Sequence, residues 1–201
     1  MNDLTEFEAY MSKTGNRKAL YSLVAKKYNI KRALYPGSHI DISPSLVIPD
    51  VTYIDNFKGT IRFFKKMNEI EKYINKNKNY QEKCKIEFLG TDYNDELKLV
   101  KKDMIISQYA GFAGKATKRY LKKGGILLCN DSHGDATLAY LDEDFELVGV
   151  INQRNMLSTK QLDKYFVLKN ERQIDEKEVR STMKGPKYKI HATNYIFKPI
   201  L

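Results

Sequence analysis

The sequence predicts an α/β fold: a three-layer sandwich in which helices cover both faces of a mostly parallel, seven-stranded sheet with an antiparallel C-terminal edge. Short apolar segments alternate with amphipathic helical segments along most of the 201 residues. These apolar segments are nearly continuous, which is typical of parallel strands that are buried on both faces. The last two strand-like segments have no clear crossover helix between them, and this favours antiparallel pairing at that edge.

The first half of the chain predicts helices before and between three strands. Residues 1–30 form an N-terminal segment of one or two helices, because Leu20 and Val24 lie at helical spacing. The stretch "DISPSLVIPD" predicts a compact turn or short helix, with Ser43 as its cap and Pro44 in its first turn. The strands are "RALYPG", "VTYIDN" and "CKIEFLGTD", and one long basic helix, "KGTIRFFKKMNEIEKYINKNKNY", precedes the third strand.

The second half predicts one helix, four strands and a long connection. The helix is "GKATKRYLKKG", which Gly124 and Gly125 end. The connection, residues 152–186, is longer than a hairpin needs, and "STKQ" before Leu162 is a candidate helix start. It would form either a lid over a ligand or a solvated helical cap. The strands are "DMIISQYAGF", "GILLCND", "FELVGVI" and "KYKIHATNYIFKPI".

Length and composition predict a single globular domain over residues 1–201. Hydrophobic residues make up 42% of the chain and charged residues 30%, which excludes a disordered class. No apolar run approaches the roughly 20 residues of a membrane-spanning helix, and the N-terminus does not have the pattern of a secretory signal. Cys84 and Cys129 lie far apart with no metal-binding spacing, so we expect free thiols in a cytoplasmic protein.

The net charge of +10 favours acidic partners and keeps nucleic acid open as a partner or substrate. The basic residues are nevertheless spread along the chain and form no compact arginine-rich block. Abundant lysine, asparagine and isoleucine can also reflect an AT-rich genome. Charge alone therefore does not decide between a nucleic acid and a small molecule.

Polar residues follow each of the first five predicted strands. Ligands of open parallel sheets bind beyond the carboxyl ends of the strands, so these residues are candidates for a site. Asp55 after the second strand could accept hydrogen bonds from two ribose hydroxyls, and Asp92 after the third could accept one from the amine of a base. Gly37 would let a ligand approach the backbone closely. The alternative is that these polar residues simply begin loops.

The order and spacing of these residues resemble the class I S-adenosylmethionine-dependent methyltransferases over residues 30–150. In that family the first strand runs into a turn of the type Asp-x-Gly-x-Gly-x-Gly. Tyr35 takes the acidic place here, Gly37 matches the first glycine, and His39 and Asp41 fall on the other two. The passage "LKKGGILLCND" resembles the family's entry into its fifth strand and is the most specific part of the likeness.

The resemblance implies a Rossmann-like fold, S-adenosylmethionine as cofactor, and methyl transfer to an unidentified acceptor. The implied cofactor-binding residues are Pro36, Gly37, Ser38, His39, Asp41, Asp55, Asp92, Tyr93, Ser107 and Gln108. Two family glycines are replaced, so a non-catalytic Rossmann-like module that binds a nucleotide or a partner is the alternative. A dinucleotide-dependent oxidoreductase ranks last, because its fingerprint needs three glycines in one turn.

Methyl transfer needs an acceptor in line with the donor and, in some cases, a base. His133 after the fifth strand and His39 after the first strand are the natural bases, and we select His133 as the catalytic candidate. Tyr109 either shapes the acceptor pocket or is an ordinary core aromatic. The stretch "NDSHGD" also gathers Asp131 and Asp135 around His133, but short loops often carry such clusters by chance, and we expect no metal. Cys129 lies in an apolar strand, where a thiol is usually inert.

Overall fold

The computed structural model describes residues 4–170 and 172–200. The chain forms two compact units, Met1–Glu96 and Leu97–Leu201.

The first unit contains four helices and three parallel strands. Two helices, α1 and α2, precede β1, and two more, α3 and α4, lie between β2 and β3. The strand order is β3-β2-β1, and β1 and β2 are almost completely buried. The elements are α1 (Thr5–Thr14), α2 (Lys18–Tyr28), β1 (Arg32–Pro36), a 3-10 helix (Ser43–Leu46), β2 (Asp50–Ile54), α3 (Lys58–Phe64), α4 (Met67–Asn77) and β3 (Lys85–Leu89).

The second unit has the strand order β4-β5-β8-β6-β7. Its first pair, β4 and β5, is parallel, whereas β8 pairs antiparallel with both β5 and β6. The elements are β4 (Lys102–Ser107), α5 (Ala113–Thr117), β5 (Leu121–Cys129), α6 (Asp135–Leu141), β6 (Phe145–Ile151), β7 (Leu157–Ser158), α7 (Glu176–Thr182) and β8 (Asn194–Pro199), with 3-10 helices at Lys118–Tyr120 and Leu162–Phe166.

The predicted fold class is confirmed: parallel βα segments are followed by an antiparallel C-terminal edge. The described residues form eight strands rather than seven, because the two-residue strand β7 pairs with the end of β6. The last predicted strand is shorter than expected and covers only β8. Upstream of β8, Tyr188 makes a single bridge to Leu168, so this stretch folds back on the long connection. That connection is partly helical, as predicted.

The prediction of one long helix before β3 is wrong, because the chain leaves helical geometry at Lys66, with φ −86° and ψ 36°. Helix α3 buries the rings of Phe63 and Phe64, and Phe64 stacks on Phe88 of β3 at 4.2 Å between ring centroids. Helix α4 then buries Ile70 separately.

The prediction that Gly124 and Gly125 end a helix is also wrong. Helix α5 is only five residues long, and both glycines lie inside β5. The pairing of β5 with β4 shifts register between Lys102 and Met104, so the glycines form a bulge. Gly124 adopts φ +74°, and a Cβ on Gly125 would lie 2.9 Å from the carbonyl oxygen of Asp103. Gly124 thus adopts a left-handed conformation, and Gly125 leaves room for the neighbouring backbone.

The predicted cap at Ser43 is replaced by Asp41. Ser43 is the first residue of the 3-10 helix and makes no side-chain cap. Its backbone N–H instead donates to Asp41 Oδ1 at 3.1 Å. Pro44 enters the first turn as predicted, because the missing N–H of a proline costs nothing there. Within the described part of the chain, no helix is long and apolar enough to cross a membrane.

Candidate functional site

The turn after β1 contains two residues with a left-handed backbone, and only one of them is a glycine. Gly37 adopts φ +61° and His39 φ +48°, both in the left-handed region. The amide of Gly37 donates to the carbonyl of Ile54 at 2.8 Å, which ties the turn to the end of β2. Pro36 and Ser38 are buried. His39 has a side chain and adopts this left-handed geometry at an energetic cost.

Asp55, the first residue after β2, holds this turn in place. Its Oδ2 accepts a hydrogen bond from the His39 backbone N–H at 2.8 Å, and its Oδ1 accepts one from the Phe57 backbone N–H at 2.8 Å. A carboxylate offers about four acceptor positions, so about two remain for the hydroxyls of a ligand. The Asp55 side chain is partly exposed, which leaves it accessible at the end of the strand.

The His39 ring lies at the surface of the first unit, between two aromatic rings. Its centroid is 5.2 Å from that of Tyr10 and 6.0 Å from that of Phe57, with which it stacks. Phe57 is itself 57% exposed, which is high for a phenylalanine. An exposed aromatic cluster therefore lies beside the Asp55 carboxylate.

Asp41 lies behind the turn rather than on its surface. Its side chain is buried, and Oδ2 accepts hydrogen bonds from Arg17 at 3.0 Å and from the hydroxyls of Tyr21 and Tyr35 at 3.2 Å each. Burial, together with the negative charge of Asp41, raises the pKa of Tyr21 and of Tyr35 well above the usual value, so both remain donors. This network joins α2 to β1 and supports the turn from the protein interior.

Asp92 links the loops that follow β2 and β3. Its Oδ2 accepts from the amide of Asn56 at 3.1 Å, and its Oδ1 accepts from the Asn94 backbone N–H at 2.8 Å. Both Asp92 and the neighbouring Tyr93 are partly exposed. The first unit thus brings the turn, Asp55 and the Asp92 loop together at the carboxyl ends of its three strands.

The second unit carries a chain of side-chain amides at the ends of β4, β5 and β8. Gln108 Nε2 donates to Asn194 Oδ1 at 2.7 Å, and Asn130 Nδ2 donates to Gln108 Oε1 at 3.0 Å. All three side chains are buried. Sequence reasoning placed Gln108 at a strand end but missed Asn194, because its role depends on the pairing of β8 with β5, which no local pattern shows.

The amide chain continues outward to His133. The Ser132 backbone N–H and hydroxyl both donate to Asn130 Oδ1, at 3.3 Å and 2.8 Å. The same hydroxyl lies 3.0 Å from His133 Nδ1. His133 is partly exposed, so a buried polar chain ends at an imidazole that reaches the surface of this unit.

Tyr109, the other candidate for chemistry, has an unusual backbone. It adopts φ +57°, and its side chain is 61% exposed. Non-glycine residues in the left-handed region are uncommon, and they cluster at functional sites. The turn after β4 therefore directs a large ring away from the core of its unit.

Two acids of the second unit have few exposed atoms: Asp131 is half-buried and Asp135 is buried. Asp131 accepts from the backbone N–H of Thr137 at 2.7 Å, and Asp135 Oδ2 accepts from that of Gly114 at 3.0 Å. Burial raises the pKa of Asp131 to about 6 and that of Asp135 to about 7. The nearby Ser107 hydroxyl opposes the rise at Asp135. The Ser107 hydroxyl and Asp135 Oδ1 are both buried. Neither atom makes a hydrogen bond of normal geometry to any residue that the structure describes.

The Asp131, His133 and Asp135 cluster is not arranged as a metal site. Asp131 is engaged by Thr137, and His133 by Ser132. Among residues 4–170 and 172–200, no group of three or more histidine, cysteine or acidic side chains could hold a metal ion. Cys129 is buried, and burial raises the pKa of its thiol well above the usual value.

Comparison with known proteins shows which solved structures this fold is similar to. No family model and no curated protein matches the chain. Among solved structures it is similar to a methyltransferase from Geobacter sulfurreducens, with 13% identity, a TM-score of 0.51, and coverage of 73% of this chain and 82% of that one. It is also similar to an S-adenosylmethionine-dependent methyltransferase from Clostridium acetobutylicum, with 10% identity, a TM-score of 0.51, and coverage of 96% of each chain. At these identities the similarity establishes the fold, and this chain has the Rossmann-like fold of S-adenosylmethionine-dependent methyltransferases.

Proposed function

We propose that this protein is an S-adenosylmethionine-dependent methyltransferase with an unidentified acceptor. The observation that carries the proposal is the turn after β1, where two left-handed residues are fixed by the Asp55 carboxylate in a chain of methyltransferase fold. A turn of this kind presents backbone groups to a ligand, and a carboxylate at the end of the next strand can accept hydroxyl protons from a ribose.

In this proposal the first unit holds most of the cofactor. Gly37 and His39 line the turn, Asp55 receives the ribose hydroxyls, and Asp92 and Tyr93 receive the adenine. The other proposed cofactor-binding residues are buried. Four of them would contact the cofactor through their backbone groups: Pro36, Ser38, Ser107 and Gln108. Asp41 would support the turn through its hydrogen bond with Arg17.

The second unit supplies the candidates for chemistry. We assign His133 the role of the base that takes the acceptor's proton, and Tyr109 that of an aromatic wall for the acceptor. The partial exposure of His133 and the outward ring of Tyr109 support these roles. Methyl transfer depends mainly on how the donor and the acceptor are positioned. A base and an aromatic wall for the acceptor therefore suffice as side chains for this step.

Two further points belong to the proposal. The acceptor is either a small molecule or a nucleic acid, and the net charge of +10 supports an anionic one. The location is cytoplasmic, supported by two buried cysteines that remain free thiols.

A thermal-shift titration with S-adenosylmethionine, S-adenosylhomocysteine and NAD tests the cofactor. A ligand that binds only the folded state raises the melting temperature as its concentration rises above its dissociation constant. We expect both sulfur nucleosides to raise it and NAD to leave it unchanged. A shift with NAD alone would replace the methyltransferase proposal by an oxidoreductase. Binding without methyl transfer to small-molecule and RNA acceptor panels would favour the non-catalytic module.

A further inference from the structure

We infer that Ser132, Asn130, Gln108 and Asn194 are positioning residues that fix the tautomer of His133 and leave its Nε2 free to take a proton from the methyl acceptor. The inference deepens the proposed function and rests on it for the identity of the reaction. Its structural part, the tautomer, depends only on these four residues and His133 and can be tested without any ligand.

The direction of the amide chain is set by one backbone group. The Ser132 N–H lies 3.3 Å from Asn130 Oδ1 and can only donate, so the oxygen of this amide must face Ser132. The Asn130 NH₂ group then points the other way and donates to Gln108 Oε1 at 3.0 Å. This leaves Gln108 Nε2 to donate to Asn194 Oδ1 at 2.7 Å. Each amide orientation follows from the one before it.

The Ser132 hydroxyl transmits this direction to His133. Its oxygen lies 2.8 Å from Asn130 Oδ1, which has no proton to give, so the single hydroxyl proton of Ser132 must lie between them. The hydroxyl can then only accept at its 3.0 Å contact with His133 Nδ1. Neutral imidazole carries one proton, and that proton is consequently on Nδ1. Nε2 is left with an unshared electron pair.

Burial keeps the chain from reversing. Asn130, Gln108 and Asn194 are 6%, 5% and 7% exposed, so water cannot readily replace a mismatched contact. A flipped amide in this chain would place two donors or two acceptors against each other, and buried groups left unpaired in this way are costly. Free histidine in water favours the opposite tautomer, with its proton on Nε2. The chain therefore selects the form that a base at Nε2 requires.

The chemistry that this arrangement suits is methyl transfer to a protic acceptor, such as a hydroxyl or a neutral amine that carries an N–H. A lone pair of the acceptor forms a bond to the methyl carbon of the sulfonium donor, and the carbon–sulfur bond electrons return to sulfur to give a neutral thioether. The acceptor's proton passes to His133 Nε2. The resulting imidazolium donates from both nitrogens and releases the proton to solvent from its partly exposed position.

The test is ¹⁵N NMR of the histidine rings in the full chain, at a pH where imidazoles are neutral. The chain has only three histidines, His39, His133 and His191, so His133→Gln assigns the signal. We expect parent His133 to carry its proton on Nδ1. Ser132→Ala should shift the dominant tautomer to Nε2–H, whereas Ser132→Thr, which keeps a hydroxyl, should preserve Nδ1–H. The signals of His39 and His191 are the internal controls.

Two results would overturn the inference: a proton on Nε2 of His133 in the parent, or an Nδ1–H form that persists in Ser132→Ala. If Ser132→Ala does not fold, the tautomer of His133 measured in the parent protein decides whether the inference holds. These outcomes are separate from failure of the proposed function. Absence of binding to S-adenosylmethionine removes the reaction but does not change the tautomer, and a wrong tautomer leaves cofactor binding intact.

Discussion

Gly37 and His39 share a left-handed backbone conformation that only glycine adopts without cost. In an L-residue this conformation places Cβ too close to the following carbonyl oxygen, at a cost of roughly 1–2 kcal/mol. His39 bears such a cost at φ +48°, and its backbone N–H is held by Asp55 at 2.8 Å. Strain retained in this way is typical of functional turns.

The first prediction compares substitutions at these left-handed positions. Gly37→Ala should lower the free energy of unfolding by about 1 kcal/mol or more, because alanine must adopt φ +61°. His39→Gly should change it by less than about 1 kcal/mol, since relief of strain is offset by the greater freedom of glycine in the unfolded chain. Urea unfolding measures both.

Gly15→Ala is the matched control, because Gly15 adopts φ +82° at the end of α1 with open space around it. It should cost at least as much stability as Gly37→Ala, because its φ of +82° and ψ of 151° lie in a region that essentially only glycine adopts, and it should not change the affinity for S-adenosylhomocysteine. His39→Gly should tighten that affinity or leave it intact. A Gly37→Ala protein as stable as the parent would show that the turn is not held in this conformation.

At the scale of elements, the bulge in β5 needs its two glycines for different reasons. Gly124 supplies a left-handed conformation in open space, and Gly125 supplies room beside the Asp103 carbonyl. We therefore predict that Gly124→Asn is tolerated better than Gly124→Ala, because asparagine adopts left-handed geometry more readily. Gly125→Asn should be at least as harmful as Gly125→Ala, since any Cβ there meets backbone at 2.9 Å.

Melting temperatures of the four variants measure this difference. The expected order places Gly124→Asn closest to the parent and both Gly125 variants below it. Equal losses for asparagine and alanine at Gly124 would contradict the conformational role of this residue.

The elements also show what the sequence could predict. Continuous apolar runs located β1 and β2 to within two residues, because burial on both faces leaves a strong local pattern. The half-exposed edge strand β3 was predicted to end three residues too late. The glycine pair was misread as a helix end, since its bulge exists only through pairing with β4. In the candidate site, the position of Asp55 directly after β2 was predictable from the strand pattern. The partners of Asp41 were not, because Arg17 lies 24 residues away in sequence.

At the scale of the whole molecule, the raised pKa values of Asp131 and Asp135 make stability depend on pH. The folded-state pKa values of Asp131 and Asp135, about 6 and about 7, lie above the ordinary 3.8. Above about pH 4 the unfolded chain releases protons that the folded protein keeps. The free energy of unfolding should accordingly fall as the pH rises from about 4 to about 7, and these two groups should add no further loss above that range.

Asp135→Asn should remove part of this dependence, because asparagine has no charge to bury. One pKa unit corresponds to about 1.4 kcal/mol, so between about pH 5 and pH 8 the variant should lose about 2–3 kcal/mol less stability than the parent. Urea unfolding at several pH values measures the slope. Asp163→Asn, at an exposed position, is the control and should keep the parent slope. An unchanged slope in Asp135→Asn would mean that Asp135 is ionised in the folded protein at acidic pH.

The most direct test of the methyltransferase account is calorimetric titration of S-adenosylhomocysteine into the parent, Asp55→Ala and Glu69→Ala. Glu69 is an exposed carboxylate on α4 and serves as the charge-matched control in the same unit. We predict that the parent and Glu69→Ala bind with equal affinity. Asp55→Ala should bind at least tenfold more weakly, because each lost charge-assisted hydrogen bond costs roughly 1.5–3 kcal/mol. No binding to the parent, or equal binding by all three proteins, would contradict a cofactor site at Asp55.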